Sequence, residues 1–294
     1  MKVALFGAYG HLGSDIQKEL VRQGHEVLAC DAIERELVLE GSGRSTFVKI
    51  DATKPETLEG VCENVDCVIT TVGLTKASAT VSCYDIDLNG NKNILAEAKR
   101  AGVKKFVYIS VIHADEHAEI PMLDAKAKME EEVKKSGIPY IIYRPTGYFY
   151  DIVHVLKPMV EKGAISLLGK EPGVANVIAT EDFAEYIVAH LGDENVTVSI
   201  GGRETYNYDE IAKMCFDAVG KPCVIKRAPV FLFDILIFVN ALKKNGKADI
   251  IKFSKFTLTG DLVGEVKYGK QSFSAYLEKE MKITVVKSSS GPEC

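Results

Sequence analysis

The residues Val3-Ala-Leu-Phe-Gly-Ala-Tyr-Gly-His-Leu-Gly13 lie near the start of the chain. This stretch is the strongest indication of the fold. Its apolar beginning, Val3 to Phe6, is typical of a buried strand. The apolar residues that follow recur at helical spacing up to Leu20, and Gly24 would end that helix. The stretch therefore predicts a strand, a glycine turn and a helix in direct succession.

The glycines of this stretch, Gly7, Gly10 and Gly13, have the spacing G-x-x-G-x-x-G. Such glycines permit a tight turn, a close approach of the backbone to a pyrophosphate, and close packing of a helix on a strand. Free N–H groups at the start of the helix would then face the phosphates of a dinucleotide. The predicted contacts of that dinucleotide are Gly7, Ala8, Tyr9, Gly10, His11, Leu12 and Gly13. A glycine turn with a purely structural role is the alternative.

A second predicted strand, Glu26–Cys30, ends directly before Asp31. An acid about 20 residues after such a turn accepts hydrogen bonds from ribose hydroxyls and repels a 2′-phosphate. Asp31 therefore favours NAD(H) as the cofactor, while the nearby Arg35 leaves NADP(H) open. The alternative is that Asp31 is a solvated turn residue.

Residues at the ends of the third and fourth predicted strands extend this cofactor site. Asp51 follows the third strand with Ala52 beside it, and its carboxylate could hold the adenine edge. The carboxyl ends of parallel strands meet at one edge of a sheet, where a doubly wound fold binds its ligand. The predicted contacts at the end of the fourth strand are Thr70, Thr71, Val72 and Gly73.

Composition limits the classes of function. The 294 residues are 47% hydrophobic and 26% charged, as in an ordinary soluble globular protein. A net charge of −5 provides no basic stripe for a phosphate backbone, so we expect no nucleic-acid partner. The seven cysteines form no C-x-x-C pair, and we expect no metal site. Because the chain begins directly with a core strand, we expect a cytoplasmic protein.

Strand and helix signals alternate through about residue 142, which predicts an α/β fold with a doubly wound parallel sheet of the Rossmann type. The predicted strands are Lys2–Phe6, Glu26–Cys30, Thr46–Ile50, Asp66–Thr71, Lys104–Ile109 and Pro139–Tyr143, with Val174–Ile178 and Val196–Ile200 further on. The predicted helices are Leu12–Gln23, Leu88–Ala101, Met122–Lys135, Glu181–Leu191 and Tyr208–Val219. We expect a dinucleotide-binding domain over 1–145, a smaller C-terminal α/β substrate-binding part over 146–287 and a flexible tail over 288–294.

The apolar stretch Val230–Leu242 raises the question of a membrane. It holds about 13 residues with Asp234 among them, which is too short for a span of about 20. It is interpreted as a helix packed over a pocket or against a partner subunit. A lid over an apolar substrate or a peripheral membrane anchor is the alternative, and the oligomeric state stays open.

Several further motifs join the glycine turn: Asp51, Thr70–Gly73, Asp87–Asn93, Tyr108–Ser110, Ala125–Glu130, Arg144–Phe149, Ile200–Tyr206 and Tyr268–Lys270. Together they resemble the atypical short-chain dehydrogenase/reductase superfamily of NAD(P)-binding Rossmann proteins. Within it, Ala125–Glu130 followed by Arg144–Thr146 and Phe149 is similar to the NmrA-like and divinyl chlorophyllide reductase-like branches. The motifs cover nearly the whole chain.

The resemblance implies a Tyr-x-x-x-Lys pair with a hydroxyl on the preceding strand. The lysine position falls on Lys126 and the hydroxyl position on Ser110. The tyrosine position falls on Met122, which removes the superfamily's usual proton donor. The remaining cofactor contacts implied by the resemblance are Ser110, Lys126, Pro145, Thr146 and Gly147.

Lys126 can also be judged from its spacing. On a helix it shares one face with Met122, Met129 and Val133, so its amine points inward from an apolar stripe. A buried ammonium needs an anionic or polar partner, which a bound ribose with its neighbours would supply. The alternative is a lysine whose stem covers apolar surface while the amine reaches water.

A substitute proton donor is needed for hydride-transfer chemistry. Tyr148, and next to it Tyr150, lie in a segment that lines the substrate pocket in the superfamily, and Lys126 could itself donate or act through water. His113 and His117 are weaker candidates, because loop histidines are more often simply polar surface groups.

These observations predict an NAD(P)-dependent oxidoreductase with a small, largely apolar and conjugated substrate. Protonation of carbon after hydride delivery asks less of a dedicated donor than protonation of an alkoxide does. One alternative is a non-catalytic NmrA-like redox sensor that binds the dinucleotide. The other is a nucleotide-sugar epimerase-like enzyme, which would need the tyrosine that Met122 replaces.

Overall fold

Twelve strands and a set of helices build the fold in the computed structural model, which describes residues 1–74, 80–243 and 246–288. The strands are β1 Lys2–Phe6, β2 Glu26–Asp31, β3 Arg44–Lys49, β4 Cys67–Thr70, β5 Lys105–Ile109, β6 Tyr140–Pro145, β7 Ile165–Leu168, β8 Val174–Ala175, β9 Val196–Gly201, β10 Tyr206–Asn207, β11 Ile225–Ala228 and β12 Val266–Lys267. The helices are α1 His11–Arg22, α2 Asn91–Arg100, α3 Pro121–Lys135, α4 Phe149–Glu161, α5 Thr180–Ala189, α6 Tyr208–Ala218, α7 Phe231–Leu242, α8 Lys247–Thr259 and α9 Phe273–Ser288. A 3₁₀ turn, Pro55–Thr57, and a π-helical segment, Tyr84–Gly90, complete the list of elements.

Eight of these strands form one parallel sheet in the order β12-β9-β6-β5-β4-β1-β2-β3. The chain runs outward from β1 to β3 and then returns to place β4 on the other side of β1. The order of strands therefore reverses between β1 and β4, and this is where such sheets open a ligand crevice at their carboxyl ends. The predicted doubly wound Rossmann fold is confirmed.

The sheet is buried on both faces. The strand residues of β1 between Val3 and Phe6 are fully buried, as their unbroken apolar run predicts. One face is covered by α1 and α5, whose apolar side chains include Leu20 and Phe183. The other face is covered by α2 and α3, with Ile94 and Met129 in its core. The sheet thus holds the turn after β1 and the turn after β4 side by side.

The C-terminal part is joined to this sheet. It contributes β9 and β12 to the main sheet, so no break in the sheet accompanies the boundary predicted at residue 145. It also has a core of its own, in which α4, α6 and α9 pack through residues such as Leu156, Phe216 and Leu277. The chain after 145 is therefore interwoven with the dinucleotide-binding half.

The structure corrects several predicted elements. The strands predicted before residue 145 are present to within two residues of their bounds. The predicted helix Leu88–Ala101 is instead the π-helical segment followed by α2. The predicted strand Val174–Ile178 shrinks to β8, and Ile178 forms only a bridge with Tyr148. Short strands lack the side-chain alternation that would have set these bounds.

Elements beyond residue 220 have weaker signals. The sequence pattern did not predict β11, α8, β12 or α9. Most of the predicted tail, residues 289–294 with Cys294, lies outside the described residues. Of the described cysteines, Cys223 is exposed and the others are buried, free thiols. In the described ranges, no helix combines the length and apolarity that a membrane crossing requires.

Candidate functional site

The glycine turn after β1 is built by close backbone packing. Gly7 has a φ of +80°, and a Cβ there would lie 2.5 Å from the hydroxyl oxygen of Thr71. At Gly13 a Cβ would lie 2.0 Å from the carbonyl oxygen of Gly7. Only glycine lets the first turn of α1 pack this closely on the end of β1.

The amino end of α1 faces the crevice without a side-chain cap. Gly10 occupies the N-cap position and is exposed, and no side chain in the described part of the chain caps the helix there. The first N–H groups of a helix have no partner within the helix and carry its positive dipole end. This turn therefore fits the pyrophosphate of a dinucleotide, which Gly10, His11, Leu12 and Gly13 would hold through their backbone.

Asp31 is tied to the glycine turn. Its Oδ2 accepts a hydrogen bond from the backbone N–H of Tyr9 at 2.9 Å, and its Oδ1 accepts one from Ala32 at 2.7 Å. The carboxylate is half-buried at the end of β2, next to the turn. Arg35 is exposed four residues further on. The structure therefore places the Asp31 carboxylate beside the glycine turn.

The end of β4 is fixed by a buried amide. Asn91, the first residue of α2, is fully buried, and its side-chain oxygen accepts a hydrogen bond from the Thr70 hydroxyl at 2.7 Å. Its side-chain NH₂ donates to the carbonyl of Val72 at 3.0 Å. Thr71 donates to the Gly7 carbonyl at 3.1 Å. The segment from Thr70 to Gly73 is thus held rigidly beside the glycine turn, as its predicted role requires.

Lys126 forms an ion pair with the carboxylate of Asp87. Its Nζ lies 3.0 Å from Oδ1 of Asp87, a side chain only 1% exposed, and 3.4 Å from the Ile109 carbonyl oxygen that accepts its hydrogen bond. Asp87 also accepts a hydrogen bond from the Leu74 N–H at 2.9 Å. The ring of Tyr108 lies below the ammonium, 5.7 Å from Nζ to the centroid. The inward orientation predicted from the helical spacing is therefore present, and Asp87 is the partner.

The π-helical segment places Asp87 where it can reach Lys126. A π-helical turn adds a residue to each turn, and such turns often occur at functional sites. Asn91, which follows the segment, bonds back to the Asp87 carbonyl at 3.0 Å. Asp87 and Asn91 belong to one of the motifs that carry the family resemblance, but the sequence does not predict a role for either residue. The usable signal was a polar pair four residues apart at the start of an otherwise apolar helix face.

Ser110 belongs to a second buried network. Its hydroxyl donates to Oε1 of Glu130 at 2.6 Å, and both side chains are buried. Arg144 binds the same carboxylate with two hydrogen bonds, at 2.9 and 2.6 Å, and pairs with Asp115 at 2.8 Å. The Ser110 hydroxyl, which was predicted to lie in the active site, therefore already donates its hydrogen bond within the protein. Glu130 and Arg144 were not predicted as its partners.

A cavity of about 200 Å³ opens beyond Leu74. Met122, which occupies the superfamily's tyrosine position, lines it together with Cys83 and, from α8, Ile250. Burial raises the pKa of the Cys83 thiol to about 11, so this thiol is neutral near pH 7. The cavity wall therefore joins apolar side chains to the neutral Cys83 thiol and to the carboxyl groups of Asp85 and Asp249.

Stacked aromatic rings connect the glycine turn with the C-terminal part. The His11 ring stacks on Tyr150 at a centroid distance of 4.1 Å, and Tyr150 stacks on Tyr148 at 5.6 Å. Tyr148 continues the stack onto Phe183 at 6.3 Å. Burial raises the pKa of Tyr148 well above its usual value, so its phenol stays protonated over the ordinary pH range.

Other predicted residues have local partners. Asp51 accepts hydrogen bonds from Thr53, which lower the pKa of its carboxyl, and lies 3.3 Å from the Lys54 ammonium. The Ala52 carbonyl accepts from the Asn93 side chain at 2.9 Å. Asp51 thus closes its own turn.

Residues after β6 and in the loop after β5 also have local roles. Thr146, between Pro145 and Gly147, is buried and donates to the Asn176 carbonyl at 2.8 Å. Nδ1 of His113 lies 2.8 Å from Oε1 of Glu116, and Nδ1 of His117 lies 3.0 Å from Oε1 of Glu119. Both histidines are thus held by carboxylates close by in their own loop.

Comparison with known proteins supports binding of a dinucleotide. Residues 7–194 match the family model of the NAD(P)H-binding domain. The Photosystem II assembly factor Ycf39 of Synechocystis is 26% identical over 234 residues, which cover 78% of this chain and 71% of that protein. The chloroplastic divinyl chlorophyllide a 8-vinyl-reductase of Arabidopsis thaliana is 26% identical over 270 residues, which cover 81% and 62%.

Solved structures share the fold. A nucleoside-diphosphate-sugar epimerase from Staphylococcus aureus superposes with a TM-score of 0.73 at 16% identity, covering 95% of this chain and 100% of the epimerase. The NADPH-dependent quinone oxidoreductase QOR2 of Escherichia coli, complexed with NADPH, superposes with a TM-score of 0.66 at 16% identity, covering 96% and 99%. Together with the glycine turn and the sheet order, the family match shows that the chain belongs to the NAD(P)H-binding family, with the Rossmann fold of the atypical short-chain dehydrogenases/reductases.

Proposed function

We propose that the protein is an NAD(P)H-dependent oxidoreductase that reduces a conjugated double bond in a small, largely apolar substrate. The observation that carries this proposal is the position of Lys126. Its ammonium is held by Asp87 directly behind the segment from Thr70 to Gly73, and Met122, one helical turn earlier in α3, lines the cavity.

The residues that would hold the cofactor follow from the geometry. The backbone at the start of α1 would bind the pyrophosphate, and Asp31 would bind the adenosine ribose. Lys126 would bind the nicotinamide ribose, because the ion pair with Asp87 holds its ammonium in one orientation beside Gly73. A bound reduced nicotinamide supplies a hydride.

The cavity favours a conjugated substrate. Met122 cannot donate a proton, and the Ser110 hydroxyl already donates to Glu130. Reduction of a conjugated double bond needs only a late proton on carbon, which water or a weak acid can provide. The neutral thiol of Cys83 lies in the cavity wall and is one such acid. Leu74, Met122 and Ile250 form the apolar part of the lining, where an uncharged substrate would pack, beside the carboxyl groups of Asp85 and Asp249.

The names of related proteins support this class of chemistry. One relative is named a vinyl-reductase, and one structural neighbour is named a quinone oxidoreductase. Both names describe the reduction of conjugated systems. The particular substrates belong to those proteins, because similarity at this level of identity does not determine a substrate.

Calorimetric titration with NAD, NADH, NADP and NADPH tests the cofactor site. We expect binding that Asp31→Ala weakens most for NAD(H) and that Lys126→Ala weakens for both cofactors. Glu40→Ala, an exposed acid on the same β2–β3 connection, is the matched control and should bind like the wild type. A preference for NADPH would show that Asp31 was misinterpreted, and no binding by the wild type would refute the cofactor site.

A substrate panel tests the reaction. Purified protein is mixed with the preferred reduced cofactor and a range of enone, quinone and vinyl acceptors, and the cofactor's absorbance is followed. We expect turnover with at least one acceptor, slowed by Cys83→Ala if the thiol donates the proton. The proposal fails if no acceptor is reduced while Met122→Tyr gains reduction of simple ketones.

A second candidate function is a non-catalytic redox sensor that binds the dinucleotide. It is favoured by Met122 in the tyrosine position and by the engagement of Ser110 with Glu130. A sensor would bind oxidised and reduced cofactor with different affinities and leave the cofactor's absorbance unchanged with every acceptor. An epimerase-like enzyme is least supported, because it needs a tyrosine base where Met122 stands.

A further inference from the structure

Helix α7 is an apolar helix on the surface of the protein. All twelve residues of Phe231–Leu242 are described, and none of them is buried. The large apolar side chains that are exposed are Phe231 (59%), Leu232 (41%), Ile235 (52%), Leu236 (47%), Phe238 (65%), Val239 (38%) and Leu242 (68%). A contiguous apolar patch of this size is rare on a protein surface and marks an interaction site.

The exposed side chains form one continuous face, called here the α7 face. At about 100° per residue, they occupy roughly 160° of the helix circumference, and that arc contains no polar residue. The less exposed Phe233 and Ile237 lie on the opposite side, toward α8, which α7 packs against. Asp234 lies at the border of the face and is paired with Lys255 of α8 at 2.6 Å.

The region around this face is basic in an otherwise acidic chain. Residues 221–260 contain eight lysines and arginines and two aspartates, a net charge of +6, whereas the whole chain carries −5. Exposed basic side chains occur on both sides of α7, with Lys226 before it and Lys243 after it. An apolar helix face between basic side chains complements a surface that is apolar inside and anionic outside.

A second copy of the chain fits this pattern less well. In a two-fold dimer the same face meets itself, so an antiparallel pair of α7 helices would bring Lys226 of one copy near Lys243 of the other. Such contacts between like charges oppose association. An anionic lipid surface, in contrast, attracts the basic side chains at both ends while its hydrocarbon boundary takes up the apolar face.

We propose that α7 docks the protein on an anionic lipid bilayer, with the α7 face in the boundary between headgroups and acyl chains. The neighbouring helix α8 lines the substrate cavity through Asp249 and Ile250. Docking would therefore bring the cavity close to the bilayer, where apolar molecules are concentrated. Lipid binding does not depend on the proposed reaction, and either proposal can fail alone.

Flotation with vesicles tests the docking. We expect the wild-type protein to float with phosphatidylcholine vesicles that contain phosphatidylglycerol, and to float less as salt is raised or with phosphatidylcholine alone. Phe238→Asp should weaken the partitioning at least tenfold. Val38→Asp, a substitution at an apolar side chain that is 80% exposed outside α7, is the matched control and should float like the wild type.

The basic side chains are tested in the same assay. Lys243→Gln should weaken binding to the anionic vesicles roughly fivefold, since each basic side chain near the surface contributes a similar factor. Lys99→Gln, at an exposed position in α2, should have no effect. Equal losses in these two variants would mean that net charge alone drives binding, which would refute a role for α7.

The chain has no tryptophan, which allows a single reporter to be introduced. Phe238→Trp should show a blue shift of its emission when anionic vesicles are added, whereas Val38→Trp should show none. The proposal is refuted if the wild type does not float or if Phe238→Trp stays solvated. It is also refuted if light scattering shows a lipid-free dimer that Phe238→Asp converts to a monomer, since a second copy would then cover the face.

Discussion

At the carboxyl ends of β4 and β5, charged and amide groups lie in the interior, and each has a close partner. Along α7, in contrast, large apolar side chains lie in solvent, and the helix packs against α8. Asp87, Asn91 and Lys126 illustrate the first region, with contacts between 2.7 and 3.0 Å. Phe231 and Phe238 illustrate the second, with more than half of their surface exposed.

The two regions contribute differently to the stability of the fold. A buried ion pair is costly to break, because removal of one partner leaves an uncompensated charge in the interior. An exposed apolar side chain contributes little to folding, so a continuous face of such side chains is better explained by an interaction with another surface. Substitutions in the two regions should therefore differ in what they change, with stability affected in the first and association in the second.

A large loss of stability should come from Asp87→Ala. The Lys126 side chain, which is only 13% exposed, would lose its carboxylate partner, and we expect the free energy of unfolding to fall by about 3–5 kcal/mol. Denaturant unfolding measures this change. Asp85→Ala, at an exposed acid in the same π-helical segment, is the control and should cost less than about 1 kcal/mol. A second change, Lys126→Met, should restore part of the loss, and a loss as small as that of the control would show that the pair is not buried.

Gly13→Ala should break the glycine turn. The new methyl group would meet the Gly7 carbonyl oxygen at 2.0 Å, so α1 must move away from β1. We expect a loss of about 1–3 kcal/mol in unfolding experiments, together with loss of dinucleotide binding. At Gly192 a Cβ meets no atom within 4 Å, and Gly192→Ala should be neutral to within about 0.5 kcal/mol. Similar effects of the two substitutions would contradict the close packing.

The pH dependence of stability above pH 9 should distinguish buried thiols from exposed ones. Burial raises the pKa of Cys67 and of Cys215 to about 12. At pH 7 both the native and the unfolded thiols are protonated, but as pH rises from about 9 to 12 only the unfolded ones lose their protons. Stability should therefore fall as pH rises through this window, by about 1.4 kcal/mol per buried thiol at pH 10.

Unfolding of the reduced protein at pH 7 and pH 10 measures this fall. Cys215→Ala should reduce the difference between the two pH values, and Cys223→Ser, at an exposed position, should change it much less. If the two variants changed it equally, burial would not be the cause.

The smallest effect on stability is expected at Phe238. Phe238→Ala should change the free energy of unfolding by no more than about 0.5 kcal/mol, because the side chain is 65% exposed. Phe216→Ala, at a side chain 1% exposed in the core between α4, α6 and α9, should cost about 3–5 kcal/mol. Thermal unfolding of both variants tests the contrast. A large loss at Phe238 would mean that α7 supports the fold and is not a free docking face.

Much of the cofactor half could be predicted because its signals are local. The apolar run before Gly7 and the helical spacing after Gly13 specify strand, turn and helix within a short stretch. The orientation of Lys126 also follows from local spacing, since Met122 and Met129 share its face. Periodicity alone is sufficient for such inferences.

Partners that are distant in sequence could not be predicted in this way. Asp87 reaches Lys126 across 39 residues because a π-helical segment rotates it toward α3. Ser110 donates a hydrogen bond to Glu130 on α3, and Arg144 on β6 binds the same carboxylate. Nothing in the spacing of these residues specifies the pairing, because it depends on how helices pack against the sheet.

The Rossmann sheet, the glycine turn and the inward lysine can all be inferred from the sequence, because they depend on periodicity and on the backbone freedom of glycine. The pairing of Lys126 with Asp87, the hydrogen bond from Ser110 to Glu130, and the exposure of the α7 face became visible only in the folded chain. Burial and pairing are properties of the packed chain, since a side chain's surroundings come from elements far from it in sequence.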